Sequence, residues 1–156
     1  MLKIQIKQTK DIKEILNIAT EMIDYFTKEG IKDLKKDLKS DNIYGAYSKN
    51  KLIGFMLVKK SDKQAVEISW LAIAKDFQNK GIGTYFVKNI LNKLSKKGFR
   101  ICFVRTLAET VKDTGYAKTR KFYKKLGFNT LVIIDPYPYW SPGNPCQILA
   151  VSLPIK

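Results

Sequence analysis

Seven residues, Gln78-Asn79-Lys80-Gly81-Ile82-Gly83-Thr84, join a strand-like run to a helix-like run. Upstream, residues 66–73 are rich in β-branched and aromatic side chains, and downstream the apolar residues recur at helical spacing. The first backbone N–H groups of a helix have no intrahelical partner, and the helix dipole adds positive potential there. Gly81 and Gly83 let the backbone approach a ligand closely. We therefore interpret this segment, the glycine turn, as a phosphate-binding site.

Two common nucleotide-binding patterns do not fit the glycine turn. The dinucleotide fingerprint needs a third glycine where Phe86 stands. The P-loop needs a lysine after its last glycine, whereas Lys80 precedes Gly81. What remains is the pattern Gln-x-x-Gly-x-Gly after a strand. Two glycines in a loop also fit a plain tight turn, so this motif needs support from elsewhere in the chain.

Length and composition predict one domain over residues 1–156, because 45% of the residues are apolar and can form a core. No apolar run reaches the roughly 18 residues of a membrane span, and the N-terminus lacks the features of a signal peptide. We expect a soluble, cytoplasmic protein without a membrane partner. Histidine is absent, which excludes histidine bases and imidazole ligands. Cys102 and Cys146 cannot form a metal cluster alone, so no metal is predicted.

The charge is strongly basic, with 29 Lys and Arg against 14 Asp and Glu, a net charge of +15. Such an excess favours polyanions: nucleic acid, an anionic surface or a phosphorylated cofactor. A general lysine bias is the simpler explanation, because the lysines are scattered and no aromatic-interleaved basic ribbon is visible.

Periodicity and turn residues predict seven strands and four helices. In the first helix, Ile23 and Phe26 belong to the apolar face and Gly30 marks the end. The predicted strands are residues 2–6, 43–48, 52–59, 65–74, 101–104, 128–134 and 147–153. The first predicted helix has apolar residues from 12 to 26 and stops by Gly30, and the other predicted helices are 31–38, 81–97 and 116–126.

A second motif, Phe122-Tyr123-x-x-x-Gly127-Phe128, ends the fourth helix. Together with the glycine turn and the order of elements, it resembles the GNAT superfamily of N-acetyltransferases over nearly the whole chain. The resemblance implies an α/β (α+β) fold with a mixed, mostly antiparallel, seven-stranded sheet flanked by four helices. It also implies an acyltransferase that moves an acetyl group from acetyl-CoA directly to a primary amine.

The resemblance assigns roles to particular residues. Tyr123 corresponds to the family tyrosine near the cofactor sulfur, where a phenol can stabilise or protonate the leaving thiolate. Glu67 matches a position where some relatives place a carboxylate base; a water chain is the alternative, and Glu109 is a weaker competitor. Backbone groups of Leu71, Ala72 and Ile73 would bind the pantetheine arm, and the pyrophosphate would be held by the amides of Gln78, Asn79, Lys80, Gly81, Ile82, Gly83 and Thr84.

Two positions depart from the family pattern or remain open. Tyr116 stands where many relatives have an asparagine, and Arg120 fits either a ligand anion or a surface salt bridge. The aromatic segment 137–142 fits either a wall of the acceptor site or a cover for the sheet edge.

The acceptor amine is not identified by the sequence, and candidates range from a small amine to a charged transfer RNA. The sequence also leaves open whether the protein contacts RNA and whether it forms a homodimer. The alternative function is a nucleic-acid (tRNA) or acyl-CoA binding module on the same fold without turnover.

Overall fold

The structure, a computed structural model, describes residues 2–22 and 24–156. Over these residues the chain forms seven strands and four α-helices in the predicted order, with a short 3-10 helix (Lys75–Phe77) after the fourth strand. None of the described helices combines the length and the apolar character needed to cross a membrane. In chain order the elements are β1 (Gln5–Gln8), α1 (Ile12–Glu21), α2 (Lys28–Asp37), β2 (Asn42–Ser48), β3 (Lys51–Asp62), β4 (Ala65–Ile73), α3 (Ile82–Lys96), β5 (Ile101–Leu107), α4 (Thr114–Lys125), β6 (Asn129–Ile134) and β7 (Cys146–Ser152).

The strands form one seven-stranded sheet in the order β1-β2-β3-β4-β5-β7-β6. β4 and β5 run parallel, with Ala65–Glu67 in register with Ile101–Phe103. The pairs β1–β2, β2–β3, β5–β7 and β6–β7 are antiparallel. This is the mixed, mostly antiparallel sheet with four helices that the sequence predicts, so the predicted fold class is confirmed.

The chain divides into two compact units, and a single domain stays a prediction. The first unit runs to Ser61 and includes Ile68–Ile90. Its core is apolar: the inward faces of α1 and α2 pack on β2, β3 and the end of β4. Trp70 stacks on Phe26 with ring centroids 5.7 Å apart. The Trp70 indole also donates a 2.7 Å hydrogen bond to Asp37, which satisfies its polar N–H.

The second unit comprises Asp62–Glu67 and Leu91–Lys156. Alternate residues of β5 are buried, namely Cys102, Val104 and Thr106. The fully buried Gln147 of β7 is hydrogen-bonded at both ends of its amide: its Nε2 donates to Thr130 (2.8 Å) and its Oε1 accepts from the backbone of Glu109 (2.9 Å). Because a buried amide without partners is costly, these bonds fix the loop after β5 to the sheet.

The predicted end of the first helix is wrong. α1 ends at Glu21. Thr27 starts α2 as its N-cap, with a 3.0 Å hydrogen bond from the amide of Gly30, so Gly30 lies inside the first turn of the second helix. A threonine at the N-cap stabilises a helix by about 1 kcal/mol. This stabilisation starts a new helix at a place where the glycine alone predicts the end of the preceding one. Ile23, which the sequence assigns to the apolar face, lies outside the described residues.

Candidate functional site

The glycine turn is an open helix start. Asn79 and Gly81 both have left-handed φ angles, +59° and +76°. The amide of Tyr85 makes a 3.0 Å hydrogen bond to the carbonyl of Gly81, as expected for the first turn of α3. In the described part of the chain, the amides of residues 82–84 have no such backbone acceptor. No acidic residue stands in the first turn, so these N–H groups and the helix dipole can serve an anion.

Gln78 and Lys80 are tied to their own loop by their side chains. Gln78 Nε2 donates to the carbonyl of Ile73 at 2.8 Å, which braces the end of β4 against the turn. The Gln78 amide donates to Lys75 at 3.3 Å, so the open amides begin beyond it. Lys80 is exposed, and its Nζ donates to the carbonyl of Asp76 at 2.9 Å. The lysine charge thus stays beside the turn.

The strand end before the turn depends on a close backbone approach. A Cβ at Gly54 would lie 2.9 Å from the carbonyl oxygen of Ala72 and 2.6 Å from Cδ1 of Ile73. Ala72 is buried in the core, while Leu71 and Ile73 are partly exposed. The three residues predicted to bind the pantetheine arm therefore form a fixed strand end in the same unit as the glycine turn.

In the second unit, Glu67 is buried and paired with a cation that the sequence analysis did not select. Arg105 Nε donates to Glu67 Oε1 at 2.6 Å, and Arg105 Nη1 donates to the Tyr137 hydroxyl at 2.8 Å. Burial by itself would lower the pKa of Arg105, but the hydrogen bonds to Tyr137 and Glu67 outweigh it and raise the pKa above its usual value. The guanidinium is therefore a permanent charge that joins the strand β4 to the aromatic loop.

The aromatic loop packs on itself around Tyr137. The ring of Tyr137 meets the edges of Tyr139 and Trp140 at centroid distances of 5.5 and 4.9 Å. Tyr139 remains 81% exposed. Together with Glu67 and Arg105, these three aromatic residues are called the Arg105 cluster below. Arg105 thus anchors a loop that the sequence predicts either at the acceptor site or over the sheet edge.

Tyr123 is buried near the end of α4. Its ring makes edge contacts with Phe122 and Phe128, with both centroid distances at 5.1 Å. Burial, with a smaller effect from Cys102, raises the pKa of the Tyr123 phenol well above its usual value of 10.0. The hydroxyl stays protonated at neutral pH and can act as a hydrogen-bond donor. Among the described residues, no hydrogen bond, ion pair or ring contact joins Tyr123 to Glu67.

Arg120 is not a surface residue. It is buried, and its Nη1 donates to the carbonyl of Leu107 at 2.5 Å, at the end of β5. The interpretation as a surface salt bridge is therefore wrong. Tyr116 lies in the first turn of α4, where its amide donates to the N-cap Asp113 at 2.8 Å. Glu109 is an exposed partner of Lys124 at 3.8 Å.

Arg105 is the functional candidate that the sequence analysis missed. A signal was present, because an arginine in the apolar run Ile101–Leu107 needs a buried partner or an exit to solvent. The predicted strand stopped at residue 104, which left Arg105 outside it.

The part of the chain that contains β4, the glycine turn and α4 matches a known protein family. The family described as the acetyltransferase (GNAT) domain matches residues 39–130, more than half of the chain. The chain therefore belongs to the GNAT acetyltransferase family, which confirms the family named from the two motifs. No match is found among curated proteins.

Solved structures show the same fold at low sequence identity. A GNAT-family protein from Desulfovibrio desulfuricans superposes with a TM-score of 0.82 at 16% identity, covering 96% of this chain and 99% of the other. A GNAT-family acetyltransferase from Elizabethkingia anophelis with acetyl-CoA bound gives 0.71 at 23% identity, covering 96% and 98%. The ribosomal-protein-S18-alanine N-acetyltransferase from Escherichia coli gives 0.75 at 18% identity, covering 100% and 96%.

Proposed function

We propose that this chain transfers an acetyl group from acetyl-CoA directly to a primary amine. The observation that carries the proposal is the open first turn of α3, where a left-handed glycine precedes amides at residues 82–84 that have no backbone acceptor among the described residues. Membership of the GNAT family and the acetyl-CoA bound to the Elizabethkingia relative support the choice of donor.

The residues of the glycine turn fit a pyrophosphate. A Cβ built at Gly81 would meet no atom of the described residues within 4 Å, which leaves the space over the turn open to a ligand. The helix start supplies N–H donors, and the Lys80 ammonium adds a positive charge beside them. Leu71, Ala72 and Ile73 supply backbone groups for the pantetheine arm in this proposal.

Tyr123 is assigned to the leaving group. Acetyl-CoA, when bound, supplies a thioester whose carbonyl carbon forms the new C–N bond while its C–S bond breaks. The leaving sulfur takes the electron pair and becomes a thiolate. An ordinary thiol has a pKa of about 8.5, and the pKa of Tyr123 is raised by burial. The phenol therefore stabilises the thiolate by donating a hydrogen bond, because full transfer of its proton would be unfavourable.

The amine must lose a proton, and Glu67 or a water chain is the proposed acceptor. Only a neutral amine has the lone pair that attacks. Oε1 of Glu67 accepts from Arg105, so a proton would reach Oε2 or arrive through water. If Glu67 is not the base, its task in this proposal is to hold Arg105 and, through it, Tyr137.

Two measurements test the proposal in sequence. Acetyl-CoA binding to the folded state should raise the melting temperature, since free ligand at 100 times its Kd stabilises a protein by about 2.7 kcal/mol. Release of free thiol is then measured with a panel containing small amines, amino acids, peptides with free N-termini and lysine peptides. No thermal shift would contradict the donor, whereas a shift without thiol release from any amine would contradict the reaction.

The alternative is a module that binds nucleic acid, such as tRNA, or acyl-CoA without turnover, and the +15 charge favours it. An RNA complex held by phosphate contacts weakens steeply as salt rises. Tight, salt-sensitive tRNA binding without thiol release would favour the alternative, and amine-dependent thiol release would exclude it.

A further inference from the structure

Strand β6 is an exposed apolar edge of the sheet. It stands last in the strand order, and its neighbour is β7. Three consecutive apolar side chains are exposed on it: Leu131 (69%), Val132 (41%) and Ile133 (37%). A bulge between Thr130 and Val132 leaves Leu131 without a partner in β7. An edge strand offers a row of backbone donors and acceptors, and exposed apolar side chains along it favour pairing with another strand.

The sequence segment that contains β6, residues 126–156, has no net charge in an otherwise basic chain. Of the 29 Lys and Arg residues, 28 lie in residues 1–125, one is Lys156, and none lies in residues 126–155. Asp135 is the one acidic residue in that segment. The net charge of residues 126–156 is therefore 1 − 1 = 0, and the whole charge of +15 belongs to residues 1–125.

The opposite edge of the sheet has the usual protection. β1 has four residues, and the exposed Lys7 lies within it. The exposed Lys3 and Lys10 flank the strand. Short length and lysine side chains are two of the features that keep edge strands from pairing. β6 is longer and has neither a lysine nor any other charge.

We propose that β6 pairs with β6 of a second copy of this chain, in antiparallel orientation across a two-fold axis. Two copies each carrying +15 repel each other, and this repulsion is weakest where each presents its uncharged segment. An interface made by the same strand on both copies is self-complementary and closes as a dimer. A nucleic acid does not fit this surface, because its phosphates require the cations that residues 126–155 lack.

The mass in solution tests the proposal, measured by sedimentation velocity and light scattering over a range of protein concentrations. The wild type is expected to be a dimer. Leu131→Lys introduces a charge at the proposed interface and should give a monomer. Leu2→Lys is the matched control, because Leu2 is also exposed (44%) but lies just before β1, the strand at the other end of the strand order, and it should remain a dimer.

Salt distinguishes this dimer from an assembly held by charge. Screening shortens the Debye length from about 8 Å at physiological salt to about 3 Å at 1 M, which weakens the repulsion between the basic surfaces. The β6 dimer should therefore tighten as salt rises. A wild-type monomer at every concentration, or a dimer unaffected by Leu131→Lys, would overturn the proposal.

Cross-linking provides a readout that does not depend on the lysine variant folding. Leu131→Cys treated with a short bismaleimide should give a covalent dimer, and Leu2→Cys should not. The native Cys102 and Cys146 are buried and do not compete for the reagent. Equal cross-linking of both variants would mean non-specific collision, and no cross-link at Leu131→Cys would contradict pairing through β6. Neither result depends on whether the chain transfers acetyl groups.

Discussion

The glycine turn and the Arg105 cluster use different chemical groups of the chain. The turn relies on backbone amides at residues 82–84 and on the left-handed φ of Gly81. The cluster relies on side chains, because Arg105 joins Glu67 and Tyr137 through its guanidinium. A backbone site binds what all members of a family share, here proposed to be the donor. A side-chain site can differ in each protein, which makes the cluster the more informative place to look for the acceptor.

Substitutions in the two regions should therefore have different effects. Substitutions in the turn should matter mainly where they move the backbone. Substitutions in the second unit should act through single atoms: the phenol oxygen of Tyr123, the carboxylate of Glu67 and the guanidinium of Arg105. Matched substitutions in the two regions test this contrast.

Tyr123→Phe should have the largest effect on catalysis. It removes the proposed hydrogen bond to the leaving thiolate, and we expect turnover to fall about 100-fold while the KM for acetyl-CoA stays unchanged. Steady-state kinetics with the best acceptor from the amine panel measures both. Tyr116→Phe, an exposed phenol on the same helix, is the control and should behave as the wild type. Unchanged turnover in Tyr123→Phe would remove the tyrosine from the mechanism.

Arg105→Gln should destabilise the second unit by about 2 kcal/mol, because it leaves the buried Glu67 carboxylate without its cation. Urea denaturation measures the free energy of unfolding. Arg100→Gln removes an exposed arginine just before the same strand and should have little effect. Combining Arg105→Gln with Glu67→Gln should recover part of the loss, since the unpaired charge is gone. Additive losses would mean that the pair is not coupled.

Glu67→Gln tests the base and should lower kcat/KM about tenfold. If Glu67 accepts the proton, the pH dependence of kcat/KM also changes shape, because one titrating group of the free enzyme is lost. Glu109→Gln is the control, as Glu109 was the weaker competitor in the sequence. An unaltered profile in Glu67→Gln would assign the proton to a water chain, and an altered profile in Glu109→Gln would move the role there.

The contrast between the two regions also explains what the sequence could predict. The glycine turn lies within seven consecutive residues and follows one strand, so its pattern is local and visible in the sequence. Glu67 is a candidate through family resemblance alone, but its partner Arg105 is 38 residues away and Tyr137 is another 32 beyond. No local sequence pattern links these residues. They are brought together by the pairing of β4 with β5 and by the path of the aromatic loop. The sequence left two roles open for Arg120, and no local pattern could show that its guanidinium donates to the carbonyl of Leu107.

Gly81→Ala tests the backbone site. An alanine at φ +76° costs about 1 kcal/mol, and relief of this strain would move the amides of the turn. We expect a loss of about 1 kcal/mol in stability together with several-fold weaker acetyl-CoA binding, measured by calorimetry. Gly98→Ala is a matched control, because Gly98 also has a left-handed φ (+99°) and a Cβ there would meet no atom of the described chain within 4 Å. It should lose similar stability but keep its affinity. Equal weakening of binding in both variants would contradict a phosphate site at the turn.

The smallest expected effect is on stability at alkaline pH. It tests whether the Tyr123 hydroxyl is buried and therefore remains protonated in the folded chain. Burial raises the pKa of Tyr123, so the folded chain keeps this proton where the unfolded chain, with a phenol pKa near 10, releases it. The unfolded state then binds fewer protons, and the free energy of unfolding falls as pH rises above about 10.

For one phenol the fall is about 1 kcal/mol per pH unit. Tyr123→Phe should reduce the difference in stability between pH 9 and pH 11 by about that amount, as measured by urea denaturation at both values. Tyr25→Phe removes a half-exposed phenol and is the control. If both variants lose stability with pH as steeply as the wild type, the Tyr123 hydroxyl reaches solvent freely, and its proposed role as a protonated donor at the leaving sulfur loses its physical basis.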